Sequence, residues 1–258
     1  MKKILFLGYS SKETKIINKI KEYKNYQVFS TKKKISLKDI NNINLIISFG
    51  YRHKINQDIL KKNRNIINLH ISYLPYNRGA HPNFWSFADN TPSGVSIHKI
   101  NEGIDTGNII YQKIIDFELN KNKLSLTFTK THSALISEIE NLFIINCKNI
   151  INNEYEEFKQ VGSGTFHSSN ELPSILKSWN QNIFKTITKY QKEKNDNINK
   201  KLEILNEIEN TRKNNNVNWM NILRYSMKNS THKTLKILNS INIDDDKISK
   251  LFKKLNEK

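Results

Sequence analysis

Short apolar runs alternate with polar stretches that carry helix-spaced apolar residues through the first half of the chain. Ile4 to Gly8 is an apolar strand ending at a glycine. Ser10 or Ser11 can cap the helix after it, in which Ile16, Ile17 and Ile20 recur at helical spacing. Tyr26 to Phe29 reads as a second strand and Asn44 to Phe49 as a third, apolar throughout and therefore covered on both faces. Gln57 to Lys62 fits a short helix and Asn65 to His70 a fourth strand. Strands alternating with helices predict an α/β fold with a parallel sheet.

Beyond a proline-containing loop, Asn83 to Ala88 reads as a short helix, and Gly94 to Ile100 and Asn108 to Ile115 as two more strands. Ser125 is positioned to cap a long helix running to about Ile150, and Glu157 to Val161 reads as a further strand. The turn G-S-G-T-F-H-S-S then closes the α/β part near residue 180. Residues 185–258 contain neither Gly nor Pro, and their apolar positions keep helical spacing: Leu202, Leu205 and Ile208, then Met220, Leu223 and Met227, and later Leu235, Leu238 and Ile241. Asn216 and Asp244 are candidate N-caps, and Trp219 a candidate core anchor, of a small all-helical C-terminal appendage. The predicted organisation is therefore 1–180 and 181–258.

Composition narrows the function classes. No apolar run is long enough to span a bilayer, and the apolar stretch Ile4–Leu7 is too short for a secretory signal, which points to a cytoplasmic protein with no membrane association. One cysteine, Cys147, permits no internal disulfide and sits in an apolar helical run. The formal charge of +18 suggests a polyanion partner. However, the basic residues are 37 Lys and 5 Arg, beside 38 Asn, whereas nucleic-acid surfaces favour the planar arginine fork. The charge is also uneven: residues 1–64 carry +12, residues 65–188 carry −1 and the remainder +7. The most chemically unusual segment is thus close to neutral, and nucleic-acid binding is disfavoured.

That segment begins I-I-N-L-H-I-S-Y-L-P at residue 66. Strand residues alternate faces, so Asn68 and His70 share one side. They stand at the carboxyl end of a predicted parallel strand, where open α/β sheets place their ligand crevice. Buried without partners, each would cost a few kcal/mol, so partners or a cleft are required. A second polar cluster, Asn101-Glu102-Gly103-Ile104-Asp105-Thr106-Gly107, is by itself compatible with an ordinary strand-connecting turn. The chain lacks G-x-G-x-x-G after its first strand and lacks G-x-S-x-G, which disfavours dinucleotide and serine-hydrolase chemistry. His81, His98, His132, His167 and His232 show no metal-ligand spacing and read as structural or exposed.

Taken together, N-L-H-I-S-Y-L-P-Y-N-R-G and I-N-E-G-I-D-T-G-N-I-I resemble the 10-formyltetrahydrofolate-dependent formyltransferases over roughly residues 1–170. The resemblance implies a Rossmann-like α/β catalytic domain and 10-formyltetrahydrofolate as cosubstrate, with no metal. It also implies catalytic residues Asn68, His70 and Asp105. Formyl transfer to an amine develops negative charge on the formyl oxygen, which the Asn68 amide or a protonated His70 can stabilise. A base must also remove the amine proton, and His70 or Asp105 suits that role. Leu69, Ser72, Leu74, Pro75, Gly103 and Thr106 are the expected folate-contacting residues.

Within that family, S-F-G-Y-R-H and Y-N-R-G-A-H-P-N-F-W-S are most similar to the nucleotide-sugar N-formyltransferases of surface-polysaccharide biosynthesis. The implied acceptor is a nucleotide-linked amino-deoxysugar, in the first instance a dTDP-4-amino-4,6-dideoxyhexose. Tyr51, Arg52, Asn77, Arg78 and Trp85 are the expected acceptor contacts, with Arg78 on the diphosphate. The resemblance also favours a homodimer. The alternatives are a methionyl-tRNA formyltransferase-like enzyme and a non-catalytic basic nucleic-acid-binding module.

Overall fold

The computed structural model describes residues 1–118, 125–226 and 231–256, with the side chains of 219, 222–238 and 256 outside the description. The chain divides into two compact units, Met1–Tyr190 and Gln191–Lys258. In the first unit, β1 (Lys2–Gly8), β2 (Tyr26–Thr31), β3 (Leu45–Phe49) and β4 (Ile66–His70) are followed by a two-residue strand β5 (Arg78–Gly79), then β6 (Gly94–Lys99) and β7 (Ile109–Ile114). Six of these form one sheet in the order β2-β1-β3-β4-β6-β7. The first four are mutually parallel, and β6 and β7 extend the sheet antiparallel. The fold is thus Rossmann-like α/β with a mostly parallel sheet.

Strand alternation explains how the sheet is covered. Ile4, Phe6, Leu45, Ile47, Ile67, Leu69, Val95 and Ile97 form one face. They pack against α1 (Ile16–Lys21), α4 (Phe128–Ile145) and α5 (Cys147–Asn152), through residues such as Ile16, Ile20, Ile139 and Phe143. Leu5, Leu7, Ile46 and Ile66 form the other face, under Ile35, Ile40, Ile55 and Ile59, the last from α2 (Gln57–Lys62). Asn68 and His70 continue the Ile66 side of β4 beyond this second apolar cluster, at the carboxyl end of the strand. Beside them, α3 (Pro82–Ala88) is buried along its whole length. Its aromatic rings pack on Phe128, Ile183 and Ile187.

Several local expectations change. Ser10 accepts no helix start: its hydroxyl and N–H both turn to Glu13, and α1 begins only at Ile16. The cap of α4 is Thr127, whose hydroxyl accepts the Lys130 N–H, rather than Ser125. The helix also breaks at Asn146, whose side chain bonds back to the Leu142 carbonyl. Residues 157–161 form no strand but one antiparallel bridge, Ile109 to Phe158. The glycine-serine segment is more than a turn, because β8 (Phe166–His167) within it pairs parallel with β5.

The second unit is helical, as expected from its apolar spacing. Most of α6 (Ile183–Ser226) and all of α7 (Thr231–Asn256) belong to it. Ile208, Ile248 and Leu251 are buried together, with Ile204 and Leu255 against them. Asn216 and Asp244 lie inside continuous helices and cap nothing, since apolar residues on either side of each keep the helix in register. The Trp219, Leu223, Leu235 and Leu238 side chains, and Met227, lie outside the described residues. Among the described residues, no helix is long and apolar enough to cross a membrane.

Candidate active site

Strand register decides which polar residues meet. Parallel pairing sets Asn68 of β4 beside Ser48 of β3. Antiparallel pairing on the other edge sets Asn68 opposite His98 and His70 opposite Ser96. Residues 101–107, which join β6 to β7, then return across the end of β4. Asp105 there has φ 52°, a left-handed conformation uncommon outside glycine. Gly107 makes the return possible, because a Cβ at that position would meet the Lys99 carbonyl oxygen at 1.9 Å.

The result is a compact polar cluster. Asn68 Nδ2 donates to Asp105 Oδ1 at 3.3 Å and stands 3.2 Å from His98 Nε2. Asp105 Oδ2 accepts the Gly79 N–H at 2.9 Å and lies 3.8 Å from His70 Nε2. His70 Nε2 is 3.2 Å from the Asn77 carbonyl oxygen, to which it donates. His98 Nδ1 lies 2.7 Å from the Lys99 carbonyl and donates there. His98 Nε2 therefore faces two partners: the neutral ring accepts from Asn68, whereas the imidazolium donates to Asp105 Oδ1 at 3.4 Å.

The electrostatics follow from this packing. Burial pulls the Asp105 carboxyl upward, but positive charge at His70, hydrogen bonding from His98 and the Gly79 N–H outweigh it. The carboxyl is held well below the usual carboxylate range. His70 and His98 are both buried, the latter at 1 % exposure, so their charges act through protein rather than bulk water.

These groups open onto a cavity of about 660 Å³. Tyr9, Phe49, Tyr51, Leu69, Ile100 and Ile104 supply apolar wall, and Asn68, His70, His98 and Asp105 supply polar wall. Arg52, His53 and Lys54 line it on one side, and His132, Phe166 and His167 also reach it. Burial pushes the His132 imidazole below its ordinary value. Among the described residues, no group of three His, Cys, Asp or Glu side chains could hold a metal ion.

Of the residues singled out in the sequence, Asn68, His70, Asp105, Leu69, Gly103, Tyr51 and Arg52 come together at this cavity. The others are not brought to its wall. Ser72 donates to the Tyr76 carbonyl, Leu74 is 1 % exposed, and a cis peptide joins it to Pro75. Thr106 bonds Asn101 Oδ1 inside its own loop. Asn77 is fully buried and holds Thr91 and Thr165. Arg78 donates from Nε and Nη2 to the Thr165 and Ser163 carbonyls. Trp85 is 4 % exposed and stacks on His167 with ring centroids 3.8 Å apart, so it packs in the core instead of facing an acceptor.

Sequence reasoning passed over His98 as structural. The signal was its position two residues after Ser96 in a strand, which becomes meaningful only once β6 is paired antiparallel to β4.

A family model described as formyl transferase matches residues 2–137, more than half of the chain and inclusive of Asn68, His70 and Asp105. The chain belongs to the formyl transferase family. One solved member of similar fold is the formyltransferase PseJ from Anoxybacillus kamchatkensis, determined in complex with UDP-4,6-dideoxy-4-formamido-L-AltNAc and tetrahydrofolate. It is 34% identical with a TM-score of 0.64, and the match covers 72% of this chain and 97% of PseJ. Methionyl-tRNA formyltransferase of Mycoplasma genitalium is 33% identical over 154 residues, covering 55% of this chain and 46% of that protein. The dTDP-4-amino-4,6-dideoxyglucose formyltransferase of Mycobacterium bovis is 35% identical over 69 residues, covering 27% and 29%. The chain spans less than half the length of either of these two curated relatives.

Proposed function

We propose that this member of the formyl transferase family moves a formyl group from 10-formyltetrahydrofolate to the amine of a nucleotide-linked 4-amino-4,6-dideoxyhexose. The observation that carries the reading is the cluster of Asn68, His70 and Asp105 at the edge of one cavity, with 3.3 Å between Asn68 and Asp105 and 3.8 Å between His70 and Asp105. The likeness to PseJ over 97% of its length supports a sugar acceptor. The carrier is dTDP on the sequence resemblance, and UDP is the carrier in the PseJ complex.

The cavity suits the ring of the donor. Its volume and apolar walls at Tyr9, Phe49, Leu69 and Ile100 suit a flat bicyclic ring, beside the polar cluster of Asn68, His70, His98 and Asp105. Bound there, the folate supplies the activated formyl group. The Asn68 amide can turn one of its two hydrogens from Asp105 or His98 to the formyl oxygen as that oxygen gains negative charge. With Nε2–H donated to the Asn77 carbonyl, His70 accepts the proton lost by the attacking amine at Nδ1, and Asp105 at 3.8 Å from Nε2 stabilises the imidazolium so formed. Asp105 stays ionised because its carboxyl is held low, so it is present as an anion when His70 becomes charged. Holding both reactants against this cluster supplies the proximity contribution.

The test is tetrahydrofolate release by the purified chain with 10-formyltetrahydrofolate and a panel of acceptors. The panel comprises dTDP- and UDP-linked 4-amino-4,6-dideoxyhexoses, methionyl-tRNA and buffer alone. Release confined to the sugar nucleotides is expected. Release confined to methionyl-tRNA, or donor breakdown without acceptor, would reject the proposal.

A further inference from the structure

The loop that presents Asp105 is held from outside by a segment far along the chain. Gln160 Nε2 donates to the Asp105 carbonyl and to the Gly107 carbonyl, both at 2.8 Å. The two hydrogens of one amide therefore bracket the residue pair that follows Asp105. The orientation of that amide is forced, because a flipped amide would set its oxygen against two carbonyl oxygens. Its own Oε1 is buried and has no partner among the described residues.

The neighbourhood of Gln160 is fastened in the same direction. Phe158 and Ile109 exchange both backbone hydrogen bonds at 2.8 Å. Glu157 Oε2 accepts from Asn108 Nδ2 at 3.1 Å, and Glu157 Oε1 lies 3.7 Å from Lys99 Nζ. Residues 157–160 thus lie along the exit of the acidic loop and contact both of its strand ends. Asp105 needs such support, since it is a non-glycine residue at positive φ and relaxes away from that conformation when its neighbours do not hold it.

We propose that Gln160 is a positioning residue that acts through Asp105: it holds the 105–107 backbone so that the carboxylate stays within reach of Asn68, His98 and His70. It reaches the wall residue Asp105 only at its backbone carbonyl and does not itself line the cavity. The kinetic part of this inference rests on the formyl-transfer reading, whereas the clamp itself does not.

The experiment compares wild type with Gln160→Ala and Gln160→Glu. The Glu variant keeps the shape of the side chain and replaces its two donors with acceptors. Hydrogen exchange followed by mass spectrometry reads the loop directly. Both variants should raise exchange in residues 101–109 and leave β1 and β3 as in wild type. In tetrahydrofolate-release assays both should lower kcat by about 100-fold, the scale expected for a misplacement near 1 Å, with KM for either substrate changed less than threefold. Placed in an Asp105→Asn background, Gln160→Ala should add less than a twofold loss, because the group it positions is already gone.

Unchanged exchange in residues 101–109 would overturn the clamp. Raised exchange with wild-type kcat, or an equal loss in the Asp105→Asn background, would overturn the positioning role. If wild type transfers formyl to no acceptor, the formyl-transfer reading falls, and the exchange comparison still decides the clamp.

Discussion

Replacing Asp105 with Asn gives the sharpest test of the cluster, because it removes one charge and almost no volume. The carboxylate lies 3.8 Å from His70 Nε2, and both side chains are nearly buried, at 13% and 9% exposure. At that separation and an effective dielectric of about 20, its attraction to an imidazolium is about 4 kcal/mol. In the proposed mechanism His70 becomes charged as the amine loses its proton, so this attraction is felt in the transition state. Its loss should lower kcat by about 1,000-fold, with little change in KM. The amide also cannot match both donors that the carboxylate accepts, Gly79 N–H and Asn68 Nδ2. One donor is left unpaired, and stability should fall by about 1–3 kcal/mol. The assay is tetrahydrofolate release at saturating sugar nucleotide, alongside chemical denaturation of both proteins. The pH dependence has a defined sign. Asp105 is depressed in the folded protein relative to an unfolded value of about 3.9, so its contribution to stability is complete above about pH 4 and is lost as pH falls below that. Asp105 therefore contributes no step to activity between pH 5 and 8. A kcat loss below tenfold would refute the reasoning.

Two further expectations concern residues away from the reacting atoms. Arg78→Ala should lower the melting temperature, because it removes the hydrogen bonds to the Ser163 and Thr165 carbonyls that help hold β5 beside β8, while KM for the sugar nucleotide changes less than threefold; a large KM increase would restore Arg78 as a substrate contact. Cys147 is fully buried and its thiol is pushed up to about 11 by burial, so at pH 8.5 iodoacetamide should modify the native protein at least about 100-fold more slowly than the unfolded chain, as read by mass spectrometry. Because that folded value lies above the unfolded one, the associated stability is present below about pH 8.5 and declines as pH rises toward 11. Rapid labelling of native protein would contradict this.

Much of the fold was legible because local patterns are strong in parallel α/β architecture. Leu45–Phe49 must be covered on both sides, and a run whose only polar residue is Ser48 says so directly. Asn68 and His70 were legible for the complementary reason. Polar residues two apart at a strand's end cannot both be left without partners in a core. Helix starts were less legible. Ser10, Ser125, Asn216 and Asp244 all have cap-forming side chains, but capping depends on where packing begins and ends the helix, and that is not a local property.

The amino-acid sequence alone determined the α/β class, the helical character of the described residues beyond 185, the pairing of Asn68 with His70 on one face and the acidic loop that carries Asp105. These follow from periodicity and residue type, which act over a few neighbours. Only the tertiary structure decided that His98 stands against Asn68, that Gln160 reaches back to the Asp105 loop, that Arg78 bonds the Ser163 carbonyl and that Trp85 stacks on His167. The physical reason is that those contacts join residues 30 to 85 positions apart, through strand register and loop closure. A side chain's nearest polar partner across such a distance is set by how whole elements pack, not by the residues beside it in the chain.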